Sequence, residues 1–208
     1  MAASDLGYRY FQIDVIKVGG GELVSGHAIL GRKFAWENES VENLRSNGHS
    51  VDRVADIIDA IPDARWNLEI KSKVAETALV ELLRCQESRD ARFGVSAPFN
   101  RRILKRMRKE FGVGLCTNAS LLEGGLVGVP LIPLSTQHSD AMQVFFPVVR
   151  SGSIVTRNRT QGIQFQAWPV NGRREMERLL DLGVRGIITD EHQLLREVLI
   201  ERGEWGEG

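Results

Sequence analysis

The sequence predicts an α/β fold of parallel strands alternating with helices, a TIM (β/α)8-type barrel lacking its first strand. Three observations predict it. Short apolar runs recur with helical stretches between them. The main strands number about seven, near residues 12, 68, 94, 115, 145, 166 and 187, where a closed barrel of this kind needs eight. The chain has 208 residues, against about 250 for a typical eight-stranded barrel. Asp5, Leu6 and Gly7 then lead straight into the first strand, as the end of a helix or loop would. The count therefore points to truncation before residue 1. An open seven-stranded sheet is the competing architecture.

Each element rests on a local pattern. Residues 10–18 read as a strand, because Phe11, Ile13 and Val15 alternate with Gln12 and Asp14. Gly19, Gly20 and Gly21 make a hairpin turn, since no helix N-terminus follows to cradle a phosphate. Residues 22–27 return as a short strand. Residues 31–48 are irregular and polar and read as a long loop. Ser50 is placed as the N-cap of a helix carried by Val51, Val54, Ile57, Ile58 and Ile61 and ended by Pro62 and Asp63. Residues 66–70 are a strand. Residues 74–84 are a helix with Ala75, Ala78, Leu79 and Leu82 on one side, and residues 92–96 a strand.

Residues 101–111 form a helix with Leu104, Met107 and Phe111 on one face, followed by a strand over 113–117. The Gly-, Leu- and Pro-rich stretch 121–139 carries no assignable pattern. Residues 142–149 are continuously apolar, as a fully buried strand would be. A strand over 163–170, a helix over 173–182 with Gly183 at its C′ position, a strand over 184–189 and a closing helix over 193–200 complete the series. Residues 201–208 read as a frayed tail. The domain division is thus a barrel over 1–200 and a tail over 201–208.

Composition narrows the function classes. The chain is 42% hydrophobic and 26% charged, as an ordinary globular protein is. Lys plus Arg and Asp plus Glu are 27 each, so no net charge recruits nucleic acid or an anionic membrane. A small polar or phosphorylated substrate stays possible, because a site can be charged in a neutral molecule. The basic helix 101–109 sets its bases opposite its apolar face, which makes them a solvated surface. Cys85 and Cys116 read as two buried free thiols, with no disulfide framework or zinc spacing. No run of about 18 apolar residues exists, so no membrane span is expected. The first five residues lack the charge and apolar core of a signal peptide, which suggests a cytoplasmic location.

Four polar residues stand out at strand ends. Alternation points Gln12 and Asp14 the same way, and Glu69 and Lys71 likewise. Polar side chains facing into a parallel barrel are costly unless paired or ligating, and the C-terminal ends of barrel strands are the usual catalytic positions. Asp14 and Glu69 could jointly hold a hard divalent cation, and Lys71 could neutralise a phosphate or pair with Glu69. A structural ion pair is the equally weighted alternative. His27 follows the second short strand, and a lone histidine there is more often a surface one. His49, His138 and His192 have no partner spacing for zinc. Trp168, in a strand, is either core or a wall of a substrate pocket. No nucleophile elbow, Walker A loop or Rossmann fingerprint is present.

These residues resemble a known family. Residues 6–15 followed by a Gly turn, Glu22-Leu23-Val24 and His27, are similar to the Glu-x-Asp-Val strand, Asp-Gly turn and His-Asp pair of glycerophosphodiester phosphodiesterases. Asn67-Leu68-Glu69-Ile70-Lys71 resembles their Glu-x-Lys strand, and Ala167-Trp168-Pro169-Val170-Asn171 their Trp-Thr-Val-Asn strand. Residues 179–190 resemble their last strand closely. The four motifs run in order over nearly the whole chain.

The resemblance implies hydrolysis of a glycerophosphodiester to glycerol 3-phosphate and an alcohol. By it, Asp14 and Glu69 would ligate Ca²⁺ or Mg²⁺, with Gln12 a weak third ligand. Lys71 would contact the substrate phosphate, and His27 would be one of two acid/base histidines. Trp168 would line the glycerol pocket. The cation and Lys71 would stabilise charge on the phosphoryl oxygens. The chain departs from the pattern at the family's His-Arg-Gly and Pro-Glu-Asn-Thr motifs, neither of which occurs. Gln12 stands where the family has a ligating Glu, and Ala28 where an Asp follows the histidine. Cation affinity follows ligand charge, so weak or no metal binding is expected. The alternative function is a catalytically inactive barrel that binds a phosphorylated glycerol or serves a partner.

Overall fold

A computed structural model of the protein defines residues 2–26, 36–71, 74–86, 92–97, 101–118, 140–160 and 162–206. His27, Ala28, His138 and the unassigned stretch 121–139 lie outside these residues. The chain forms two compact units, one of Tyr10–Gly114 and one of Met1–Arg9 with Leu115–Gly208.

In the first unit, β1 (Tyr10–Lys17) pairs antiparallel with β2 (Leu23–Ser25), and β2 antiparallel with β3 (Asp52–Arg53). On its other edge β1 pairs parallel with β4 (Arg65–Ile70), and β4 parallel with β5 (Phe93–Ser96). The turn between β1 and β2 is the triple glycine. Gly20 and Gly21 adopt φ of +80° and +89°, which a side chain disfavours. Gly19 is needed for closeness instead: a Cβ there would stand 2.8 Å from the Glu39 carbonyl oxygen. Ile16, Val18, Val24, Trp36, Val41, Leu44 and Val51 bury together beneath this hairpin.

Two expectations for residues 31–61 of this unit fail. A helix, α1 (Val41–Ser46), lies inside the stretch expected to be a long loop. Ser40 caps it, its Oγ accepting from the Asn43 N–H at 3.1 Å. Only Val41 and Leu44 are buried on it, too few apolar residues to show a helical period. Ser50 does not cap the next helix. That helix, α2 (Val54–Ala60), starts three residues later because Asp52 and Arg53 are taken by β3 and Val51 by the core.

The remaining helices are α3 (Ala75–Arg84) and α4 (Arg101–Phe111). α3 buries Ala75, Leu79, Val80 and Leu83, so its inner stripe is turned from the expected Ala78 and Leu82. Cys85, at its C-cap, is exposed rather than buried, because the helix ends on its solvent side there. α4 buries Ile103, Leu104 and Met107. Arg102, Lys105, Arg106 and Lys109 face solvent, and Arg106 approaches Glu76 at 3.3 Å and Glu110 at 3.6 Å.

The second unit contains four parallel strands in order: β6 (Gly114–Asn118), β7 (Ala141–Phe145), β8 (Gln164–Trp168) and β9 (Gly186–Ile187). β7 stops at Phe145, short of the expected 149, because Phe146–Val148 winds into a 3₁₀ turn around Pro147, which has no N–H for a ladder. A helix without an expectation, α5 (Gly152–Thr160), follows; Ile154 and Val155 are its only large apolar residues. α6 (Arg173–Asp181) buries Met176 and Leu179. It ends in a Schellman arrangement, with Gly183 at φ +86° and the Val184 N–H donating to the Leu179 carbonyl at 3.0 Å. α7 (His192–Glu201) buries Leu195 and Val198.

The tail is held rather than frayed. The Glu204 and Trp205 N–H groups both donate to the Leu199 carbonyl, and the Trp205 ring packs edge-on against Tyr8 at 4.9 Å. The three parallel strands of one unit and four of the other coincide with the seven apolar runs counted in the sequence.

Candidate active site

Period-two alternation sets the site. Gln12 and Asp14 project from one face of β1. In the parallel register Gln12 lies opposite Asn67, Asp14 opposite Glu69, and Glu69 opposite Ser96. Lys71 follows β4 directly, its N–H donating to the Val15 carbonyl at 3.1 Å. Five polar residues of three adjacent strands, with Lys71 just beyond β4, therefore lie on one face.

Their hydrogen bonds form a continuous row. Asn67 Nδ2 donates to Ser96 Oγ at 3.2 Å and to Gln12 Oε1 at 2.8 Å. Gln12 Nε2 donates to Glu69 Oε2 at 2.9 Å. Lys71 Nζ reaches Glu69 Oε1 at 2.5 Å and Asp14 Oδ1 at 3.2 Å. Glu69 and Ser96 are buried, with 5% and 0% exposure. A buried carboxylate is tolerable only with such partners. The orientation of the Gln12 amide follows from Glu69: turned over, its carbonyl oxygen would face a carboxylate.

The arrangement does not fit the divalent cation that the resemblance implies. An ammonium already stands within contact of both carboxylates. The Gln12 carbonyl oxygen is engaged by Asn67, and its N–H, which cannot ligate a cation, faces Glu69. Among the described contacts two carboxylates share one ammonium, where hard cations gather several anionic oxygens. Among the described residues no three His, Cys, Asp or Glu side chains come together.

The structure thus gathers Gln12, Asp14, Glu69 and Lys71; His27 lies outside the described residues. Trp168 ends β8 in the second unit, half-buried beside Phe145 at 5.9 Å. Its Nε1 is buried and has no hydrogen-bond partner among the described residues. His49 packs on Trp36 at 5.1 Å, and His192 opens α7 with its ring 3.2 Å from the Asp190 carbonyl.

Asn67 and Ser96 were not foreseen. Asn67 sits two residues before Glu69, so the alternation that picked Glu69 and Lys71 contains it too. Ser96 carries no signal without the register. The Trp-x-Val-Asn and Thr-Asp motifs meet at Asn171, whose Oδ1 accepts from Thr189 Oγ1 at 2.9 Å and the Asp190 N–H at 3.1 Å. That contact ties the segment after β8 to the segment after β9.

Residues 132–194 match the glycerophosphoryl diester phosphodiesterase family. A Mycobacterium tuberculosis protein assigned as glycerophosphodiester phosphodiesterase 2 is 31% identical over 224 aligned positions, covering 98% of this chain and 84% of that protein. A crystal structure assigned as a glycerophosphoryl diester phosphodiesterase of Silicibacter pomeroyi superposes with a TM-score of 0.80 at 18% identity, over 98% of this chain and 87% of the other. A phosphodiesterase of Oleispira antarctica, in complex with the product sn-glycerol-3-phosphate, gives 0.74 at 17% identity, over 94% and 87%. These similarities show the fold to be the barrel type expected from the sequence.

Proposed function

The chain belongs to the glycerophosphodiester phosphodiesterase family, and from that membership we propose that its 208 residues bind a glycerophosphodiester without cleaving it at an enzymatic rate. One observation carries the second half: Lys71 Nζ is held between Glu69 and Asp14 at 2.5 and 3.2 Å. Its charge serves those carboxylates first and a phosphate second.

Cleavage of a phosphodiester needs charge stabilisation on the phosphoryl oxygens and a proton for the leaving alcohol. In this reading Lys71 and Trp168 are the substrate-binding groups, for phosphate and glycerol respectively. His27 is the acid/base group that remains of the family's pair. Asp14, Glu69 and Gln12 occupy the family's ligand positions for Ca²⁺ or Mg²⁺ but give their oxygens and amide to protein partners. The His-Arg-Gly and Pro-Glu-Asn-Thr motifs that would supply the other acid/base and anionic groups do not occur in the sequence. The choice of a glycerol phosphate ligand is supported by the Oleispira antarctica relative, which holds sn-glycerol-3-phosphate.

The test pairs two measurements on the purified chain. Calorimetry with sn-glycerol-3-phosphate is expected to give saturable heat that Lys71→Met abolishes. Release of glycerol 3-phosphate from glycerophosphocholine, with Mg²⁺ or Ca²⁺ present, is expected to stay far below about 1 s⁻¹, the low end of ordinary turnover. Turnover in the ordinary range contradicts the reading, and absence of binding heat removes its first half.

A further inference from the structure

Gln166 sits two residues before Trp168 on β8, so the two side chains share a face. The parallel register sets Gln166 beside Gln143 on one side and Gly186 on the other, and Trp168 beside Phe145. Two layers therefore stack along this face of the second unit. The lower is an amide pair. The upper, at the strand ends, is an aromatic pair with ring centroids 5.9 Å apart. The C-terminal ends of parallel barrel strands are where such proteins hold their ligands. Phe145, Gln166 and Trp168 are all half-buried, so each keeps surface that a ligand can touch.

The lower layer holds one amide in place. Gln143 is 1% exposed, and its Nε2 donates to Gln166 Oε1 at 3.2 Å. That bond occupies the Gln166 oxygen and fixes which way its amide turns. Gln166 Nε2 itself donates to no group among the described residues. Gly186 makes room for this side chain. A Cβ there would stand 2.5 Å from Gln166 Cγ and 3.1 Å from its Cβ. Gly186 does not adopt a positive φ, so closeness is what this glycine supplies.

We propose that Gln166 is a specificity-determining residue of the pocket that Trp168 lines: its Nε2 donates to a hydroxyl oxygen of the ligand while the Trp168 ring covers the ligand's carbons. The inference rests on the proposed function for the ligand's phosphate and for the place of Trp168 in the pocket. It selects phosphate esters of polyols over those of plain alkyl alcohols. An apolar wall with one fixed polar group is how small-molecule pockets set orientation and selectivity. An alkyl chain in the same place would cover the Gln166 N–H groups and leave them unpaired, which makes it the poorer ligand.

Calorimetry on the purified chain tests this by comparing sn-glycerol-3-phosphate with n-propyl phosphate. The second ligand has the same phosphate and three-carbon chain and no free hydroxyl. The unaltered chain is expected to bind the glycerol ester about tenfold more tightly, the upper range for one neutral hydrogen bond. Gln166→Leu is expected to weaken sn-glycerol-3-phosphate by that factor and to leave propyl phosphate unchanged. Gly186→Ala, whose methyl group displaces Gln166 without removing it, is expected to do the same.

Equal affinity of the unaltered chain for the two ligands overturns the inference. So does a folded Gln166→Leu variant that keeps the preference. If Gln166→Leu does not fold, Gly186→Ala decides, and a retained preference is contradictory. Equal binding of the two ligands, with heat lost in Lys71→Met, sinks this inference and leaves the proposed function standing. A hydroxyl preference that Gln166→Leu removes, with heat that survives Lys71→Met, does the reverse. No heat with either ligand overturns both.

Discussion

Lys71 and Glu69, two positions apart, form an ion pair of 2.5 Å in which the glutamate side chain is 6% exposed. The pair is asymmetric. Lys71, at 20% exposure, keeps some water, whereas Glu69 depends on its partners for nearly all its solvation. Lys71→Met therefore removes the ammonium that pairs with a buried carboxylate. The expected loss is about 3 kcal/mol of stability, read by urea unfolding. Adding Glu69→Gln should recover part of it, since the buried charge goes too.

The second unit supports a plainer prediction. Leu179 on α6 is fully buried among Met142, Phe165, Met176, Val184 and Leu195. Leu179→Ala should cost about 2–5 kcal/mol. A lowered urea midpoint with an unchanged slope would check it, since the slope reports the surface exposed on unfolding.

Tyr8 predicts an alkaline transition. Its hydroxyl donates to the His192 carbonyl at 2.7 Å, and its ring packs on Trp205. Burial pushes its pKa up from 10.0 to about 12, with Arg196 opposing. The folded state thus keeps a proton that the unfolded state gives up. Stability is complete below pH 10 and falls as pH rises from 10 toward 12. Tyr8→Phe, which cannot ionise, should show a smaller fall over that window when denaturation midpoints are compared.

Cys85 gives a chemical check. Being exposed at the end of α3, it should react with a thiol reagent in the native protein. Cys85→Ser should remove the fast phase of that reaction. A fast phase that survives the substitution would belong to another thiol.

Much of this architecture was legible in the sequence, because parallel barrel strands announce themselves as short apolar runs. Phe11, Ile13 and Val15 against Gln12 and Asp14 gave both a strand and the face that bears the site. The two unforeseen helices had the opposite character. α1 buries only Val41 and Leu44, and α5 has only Ile154 and Val155, so capping and tertiary packing hold them rather than a visible period. The tail was misjudged for a related reason. Trp205 sits among Gly and Glu, and its anchor, Tyr8, is at the far end of the chain.

The site was legible as a set of residues and illegible as a set of bonds. Alternation placed Asp14 with Gln12, and Glu69 with Lys71, but not one pair beside the other. The register of β1 against β4 does that, and it makes Lys71 an ion-pair partner of both carboxylates. Gln12 was visible as a lost charge. That its amide donates to Glu69 and is steered by Asn67 needed coordinates.

A crystal structure of the chain grown with Ca²⁺ and sn-glycerol-3-phosphate addresses the polar layer itself. The account predicts Lys71 Nζ within hydrogen-bond reach of both Asp14 and Glu69, the Gln12 N–H on Glu69, and no ion between the carboxylates. A Ca²⁺ bound by Asp14 and Glu69, with the Gln12 oxygen turned toward it and Lys71 swung away, would contradict it.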